Sequence, residues 1–291
     1  WALPSYEWAL AEVRTMPSRV QVEFKRKRSP VAGRTNWQHR CGGADSIAST
    51  VTYRIASELD ELESCLMLVH EAYLNQGIID PHPARLRVIR HHTVPTTEVL
   101  MATMGGKVVC TSTLVRDGRL GLPMESIFGE EVAIRRRSGK ALAEASCLAH
   151  APDVKLPLSV IVGIMAMTVQ CAKYRGTDEL LAVVHPHHAD FYRGFLGFEP
   201  FGTVRPYASV RNNPAIALSL DLNGIQKTNP RGYKRLFGKP FHDDVLRYRP
   251  LPSVVHDFLK YLYERPVNAE QQTEPVTKEC AQDPGHRADA L

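Results

Sequence analysis

The segment that most constrains the fold lies between residues 158 and 184. Ile161, Ile164, Met165, Val169 and Ala172 recur at spacings of three and four, which is the period of a helix with one apolar stripe. Gly176 stops this helix. Leu180–Val184 follows as an unbroken apolar run of strand length, as expected of a strand buried on both faces. A helix feeding such a strand implies a mixed α/β sheet covered by helices.

The flanking segments extend that sheet. VTYRIA from Val51 alternates as a strand. Ser57 reads as the cap of a helix with Glu58, Asp60 and Glu61 in its first turn, where the dipole favours acids. Leu59, Leu62, Leu66, Val69 and Tyr73 form its apolar stripe, and the helix ends near Gly77. Glu98–Met104 and Lys107–Val115 flank Gly105–Gly106, a hairpin signature. Phe128–Ile134 reads as a further strand and Leu142–His150 as a short mixed run. HHADFYRGFLGF, starting at His187, reads as a short helix and turn, and Ala215–Leu222 as the last strand. The expected organisation is a partly disordered tail over 1–49 with a short helix at Tyr6–Val13, a central domain over 50–223, and an extension over 224–291. That extension is expected to hold one helix, Val254–Tyr263, and then a disordered tail.

Hydrophobic residues make up 44% of the 291 residues, enough for a core, and the net charge is +5. Part of the excess sits in Lys25–Arg28 and in Arg135–Arg137. The first block has no aromatic-interleaved or helix-turn-helix context, so it reads as a solvated tail and no nucleic-acid partner is expected. No run of 18 apolar residues occurs, so no transmembrane helix is expected. Six cysteines without CxxC spacing suit buried thiols in a reducing cytoplasm. His185, His187 and His188 lack partners at metal spacing beyond Asp190, so no metal is expected.

Two stretches carry chemistry. Phe191-Tyr192 is followed by Phe195-Leu196-Gly197-Phe198 and then Gly202. This resembles the closing segment of the GNAT acyltransferase superfamily, FY-x-x-x-GF-x-x-x-G, with one extra residue before Gly-Phe. The stretch Glu144-Ala145-Ser146-Cys147 resembles the Glu-x-Ser-Arg motif of acyl-homoserine lactone synthases and FeeM-like N-acyl amino acid synthases, with Cys147 in place of the Arg. The Glu-Glu-Val-Ala-Ile-Arg-Arg-Arg run before it fits the same layout. The resemblance spans roughly Thr52–Leu222. It implies a GNAT-like α/β (α+β) fold: a mixed, mostly antiparallel sheet, helices on both faces, and central strands that splay apart.

The resemblance also implies an N-acyltransferase that moves an acyl group from a thioester to an amine. Tyr192 would protonate the leaving thiolate. An amine attacks only when neutral, and an amino acid's amine is mostly protonated at pH 7, so a base is required. Glu144 in an apolar strand suits that role because burial raises its pKa; it serves equally as a structural carboxylate paired with one of Arg135–Arg137. Ser146 would orient a carbonyl or water. His185 would line the acceptor pocket or act as the alternative base. Coenzyme A is ordinarily gripped by a Gly-rich loop at a helix N-terminus, and the corresponding segment, His150–Pro157, has no glycine. That favours acyl carrier protein over acyl-CoA as the donor, with no cofactor held permanently. Arg135, Arg136, Arg137, Lys140 and Lys155 would face the acidic carrier. An acceptor carboxylate would pair with Arg54, Arg85 or Arg87. Two other readings stay open: an acetyl-CoA-dependent N-acetyltransferase, and a non-catalytic module that senses an acyl signal.

Overall fold

The computed structural model describes residues 51–264 together with a two-residue strand, Gln38–His39. The expected tails, including Tyr6–Val13 and Lys25–Arg28, lie outside the described residues.

One sheet organises the chain. In sequence order its strands are β1 (Gln38–His39), β2 (Val51–Ile55), β3 (Thr97–Met104), β4 (Lys107–Arg116), β5 (Leu142–His150), β6 (Glu179–Val184), β7 (Glu199–Tyr207) and β8 (Asn213–Asp221). They lie side by side as β1-β2-β3-β4-β5-β6-β8-β7. Among the described residues only the β5–β6 pair is parallel. That pair is joined by helix α3 (Leu158–Tyr174), since a parallel connection needs a crossover. The β3–β4 hairpin pairs Met104 with Lys107, and its turn residues Gly105 and Gly106 both have positive φ, 58° and 80°. A two-residue turn of that twist is why two glycines stand there.

The helices sort by face. α3 covers one face, where Val160, Ile164 and Val169 pack on Leu100, Ala143, Leu180 and Leu218. The other face is shared. Helix α1 (Leu59–Asn75) covers β3 and the far half of β5, and α2 (Glu125–Arg137) covers Val115, Leu142, Leu181 and Ala217. Strand alternation produces this division: Leu100 and Ala102 face α3, whereas Val99 and Met101 face α1. After β6 come α4 (Pro186–Phe191) and a π-helical turn, Tyr192–Leu196. After β8 come α5 (Ile225–Thr228), α6 (Pro230–Phe237), α7 (Asp243–Leu246) and α8 (Ser253–Glu264).

Several expectations need correction. Phe128–Ile134 is not a strand but part of α2. Its buried residues Phe128 and Val132, with Met124 just before the helix, are four apart, whereas Ile134, which made the run look alternating, is 58% exposed. β7 escaped notice because it is an edge strand with Pro200, Gly202 and Pro206 and no buried position. α1 starts at Leu59 after Glu58, and Ser57 does not cap it; the Ser57 backbone N–H instead donates to the Glu61 carboxylate at 3.1 Å. Among its described residues the extension holds four helices rather than one. They are built into the core: Ile225, Leu236, Phe241 and Leu246 join the α3 cluster, and Val254, Phe258 and Leu262 join the α1 cluster.

Candidate active site

The central strands part at one point. β5 and β6 pair from Leu142↔Glu179 to Ala145↔Ala182 and no further, although β5 runs on to His150 and β6 to Val184. At the same level β5 bulges against β4: Thr113 faces Ser146 and Thr111 faces Ala149, so Cys147 and Leu148 together oppose Ser112. Cys147 takes a left-handed φ of 49° to do so. A bulge leaves backbone polar groups out of the ladder and re-aims neighbouring side chains. The sequence shows neither feature, because Glu-Ala-Ser-Cys-Leu reads as continuous strand.

An apolar cavity of about 30 Å³ lies on the α3 side of the parting. Ala145, Leu148, Met165, Val169, Tyr192 and Leu236 are among its walls. Tyr192 reaches it because the chain unwinds into the π-helical turn and then reverses at Gly197, whose φ is 87°. This is the physical reason for the glycine in the Phe-Leu-Gly-Phe motif. The Tyr192 ring packs edge-on against Phe198. Burial raises its pKa above the ordinary phenol value, so at neutral pH it is a proton donor.

Glu144 lies on the opposite face, toward α2. It is 2% exposed, and its carboxylate accepts the Met124 backbone N–H at 2.8 Å. Burial pushes its pKa up to about 8; that N–H opposes the rise and the nearby Glu125 charge adds to it. Tyr207 from β7 comes beside it. Burial first, and then the Glu144 charge, raise the Tyr207 pKa to about 12, with the Ser126 and Ser209 side chains beside its hydroxyl. Ser146 Oγ is 3.8 Å from Cys147 Sγ. Burial raises the pKa of that thiol, and Arg87 lies among the charges around it. His92 is buried with its Nδ1 accepting the Ile89 N–H at 3.1 Å and its Nε2 at 3.3 Å from Thr113 Oγ1. Burial lowers its pKa to about 3, so it is a neutral prop and not a base. A buried carboxylate thus stands on one side of the parting and a phenol with an apolar cavity on the other, an arrangement suited to acyl transfer to an amine.

Comparison with known proteins agrees with this. The family model described as N-acyl amino acid synthase FeeM matches residues 64–221, more than half of the 291 residues. The chain belongs to the FeeM N-acyl amino acid synthase family. It is an N-acyltransferase. The solved structure of FeeM, an N-acyl amino acid synthase from uncultured soil microbes, is 27% identical with a TM-score of 0.55, over 61% of this chain and 93% of that one. BjaI, a CoA-dependent acyl-homoserine lactone synthase solved with SAM and isopentyl-CoA, is 16% identical with a TM-score of 0.50, over 72% of this chain and 99% of that one; this second likeness shows the shared fold. No curated protein matches the chain.

Within this family fold the other sequence-derived residues disperse. Arg135 pairs with Glu179 at 3.1 Å and stacks on Phe201. Arg136 bridges Asp117 and Glu125 at 2.6 and 2.5 Å, and Arg137 is exposed at the end of α2. These three and Lys140 precede β5, whereas Lys155 follows it. A nine-residue strand spans roughly 30 Å, so the five cations do not form one patch; only Lys155 is at the parted end. Glu144 pairs with none of the three arginines. Arg54 is bound to Glu61 at 2.6 Å on β2, beyond β3 and β4 from the parting. Arg85 is exposed and bound to Glu71 at 2.8 Å. Arg87 alone of the proposed acceptor arginines comes near, donating from Nη2 to Ser209 O and Oγ at 2.7 and 2.8 Å. His185 caps α4, its Nδ1 accepting the His187 N–H at 3.3 Å, at the parted end of β6. Among the described residues no group of His, Cys, Asp or Glu has metal-holding geometry, the described cysteines 65, 110, 147 and 171 are buried and free, and no helix is long and apolar enough to cross a membrane. Tyr207, Arg87's partner Ser209, and His92 were missed as site residues, because they come from an unrecognised hairpin and a loop.

Proposed function

We propose that the protein transfers a long-chain acyl group from an acyl carrier protein thioester to the α-amine of an amino acid, with catalysis in residues 50–223. The observation that carries this reading is the parting of β5 from β6 with Glu144 on one face and the Tyr192-lined cavity on the other. The thioester threads the gap. Its acyl chain lies against α3, where Met165 yields room beyond the small resting cavity because its side chain is unbranched and adaptable. The acceptor ammonium gives a proton to the Glu144 carboxylate, whose raised pKa of about 8 makes it a stronger base than an ordinary carboxylate. The neutral nitrogen attacks the carbonyl carbon, and backbone groups of the Cys147–Leu148 bulge face the developing oxyanion. The C–S bond then breaks, Tyr192 O–H protonates the departing thiolate, and the second proton of the attacking nitrogen returns to the Tyr192 oxygen, leaving a neutral amide and a free thiol. Ser146 orients the carbonyl from the acceptor side. Arg87 supplies a cation for the acceptor carboxylate.

The donor side favours a protein carrier. The loop at 151–157 has no glycine, and Pro157 caps α3 without a side-chain bond. α6, whose Leu236 walls the cavity, carries exposed Arg231, Lys234 and Arg235, with Lys239 just beyond it, and residues 225–240 hold no acid. This replaces Arg135–Arg137 as the surface for an acidic carrier. Incubating the full chain with a long-chain acyl carrier protein, or with the matching acyl-CoA, plus mixed amino acids should give N-acyl amino acids by mass spectrometry, faster from the carrier protein. No product from either donor would sink the reading and leave a non-catalytic module; product from acyl-CoA alone would reverse the donor assignment.

A further inference from the structure

A pocket of about 350 Å³ lies beneath the β7–β8 turn. Its walls come from four places: His70 on α1, the 78–88 segment, Ser209 and Arg211 of the turn, and Leu262–Tyr263 at the end of α8. Two buried polar atoms in it have no hydrogen-bond partner, Arg87 Nε and His70 Nδ1. Their chemistry is settled by their other bonds. His70 is 2% exposed and its Nε2 accepts the His82 N–H at 3.2 Å. On a neutral ring the proton therefore sits on Nδ1. Burial first, and then His82, Arg85 and Arg87, keep the ring neutral by lowering its pKa. Arg87 spends Nη2 on Ser209, which leaves Nε–H and the Nη1 protons.

The residues lining the pocket thus hold two orphan donors, and none of them has an unpartnered buried side-chain acceptor. That imbalance is what an oxyanion satisfies. The acid in the wall, Asp80, is exposed and pairs with Arg211 at 3.7 Å. Ile79, Leu86, Val88 and Leu262 add an apolar wall beside the polar groups, which suits an organic anion. The pocket also adjoins the reaction centre. Ser209 lies beside the Tyr207 hydroxyl, and Arg87 is among the charges around Cys147 and Tyr73.

We propose that this pocket receives the acceptor, its carboxylate held between Arg87 Nε–H and the Nδ1–H of His70, so that His70 selects carboxylate-bearing amines over neutral ones. This rests on the amino-acid acceptor proposed above and adds a residue and a selectivity to it. The apolar wall takes the acceptor's side chain.

The test uses the full chain, the acyl donor it accepts, the amino acid it turns over fastest from an equimolar mixture of the twenty, and that amino acid's carboxamide. Wild type should prefer the acid by tenfold or more in kcat/KM, about what one charged hydrogen bond supplies. His70→Gln puts an acceptor where Nε2 holds the loop but removes the Nδ1 donor. It should raise the acceptor KM about tenfold, leave kcat and the donor KM unchanged, and erase most of the acid preference. His70→Asn puts an N–H at the Nδ1 position and drops the loop contact, and should keep the preference. If His70→Gln keeps the preference and His70→Asn loses it, His70 only props the loop and the proposal is overturned. Equal use of acid and amide by wild type overturns it as well, with acyl transfer intact. No product from any of the twenty amino acids removes the amino-acid acceptor and this proposal together.

Discussion

At the scale of single residues, Glu144 has two measurable consequences. If it takes the amine's proton, kcat/KM should rise with pH and level off above about 8, and Glu144→Gln should lose about 10²–10⁴-fold in rate on that plateau and flatten the rise below it. The same carboxyl acts on stability with a definite sign. Its folded pKa is raised from 4.5 to about 8, so wild type loses stability as pH climbs from about 4.5 to about 8, while Glu144→Gln does not. Urea titrations of both proteins at pH 5 and pH 8.5 should show the variant gaining on wild type by a few kcal/mol at the higher pH; parallel curves would mean that Glu144 is charged and solvated. Tyr192→Phe should lower kcat by about 10²-fold with little change in acceptor KM, read by steady-state kinetics. An unchanged kcat would make the ring, which the variant keeps, a packing element only. Glu144 was singled out by the Glu-x-Ser resemblance, with burial among apolar residues as the supporting argument. Arg87's neighbours were not, since Ser209 and His70 are 139 residues apart in sequence.

At the scale of elements, α3 sits close on the sheet because residue 163 has no side chain. A Cβ there would run into the Tyr53 hydroxyl of β2, and Tyr53 is a 5% exposed core residue that cannot swing aside. Gly163→Ala, normally favourable in a helix, should therefore destabilise by about 1–3 kcal/mol, seen as a lower urea midpoint with unchanged m; a more stable variant would show that the contact gives way. α1, α3 and the β3–β4 hairpin were legible because period and turn chemistry agree there. α2 was misread: Val132 and Ile134 mimic alternation, and only the packing of Phe128 and Val132 on Leu142 and Leu181 decides for a helix. β7 was missed because an edge strand rich in Pro and Gly shows no period.

At the scale of the whole molecule, the C-terminal helices are structural partners of the sheet. Phe258 of α8 is 1% exposed in the α1 cluster, so Phe258→Ala should cost about 3–5 kcal/mol in a denaturant titration, whereas a detachable extension would lose almost nothing. Paired reversals Arg231→Glu and Lys234→Glu should raise the KM for acyl carrier protein several-fold and leave the KM for the same acyl group on pantetheine unchanged; equal effects on both donors would place carrier docking elsewhere. The sequence by itself determined the α/β class and the family, because these rest on local period and on motifs contiguous in the chain. Tertiary structure alone decided where β5 leaves β6, that the arginines of α2 lie at the wrong end of the strand, and that α1, α8 and the β7–β8 turn enclose one pocket. Those outcomes depend on register and on packing between distant segments, which no short stretch of residues encodes.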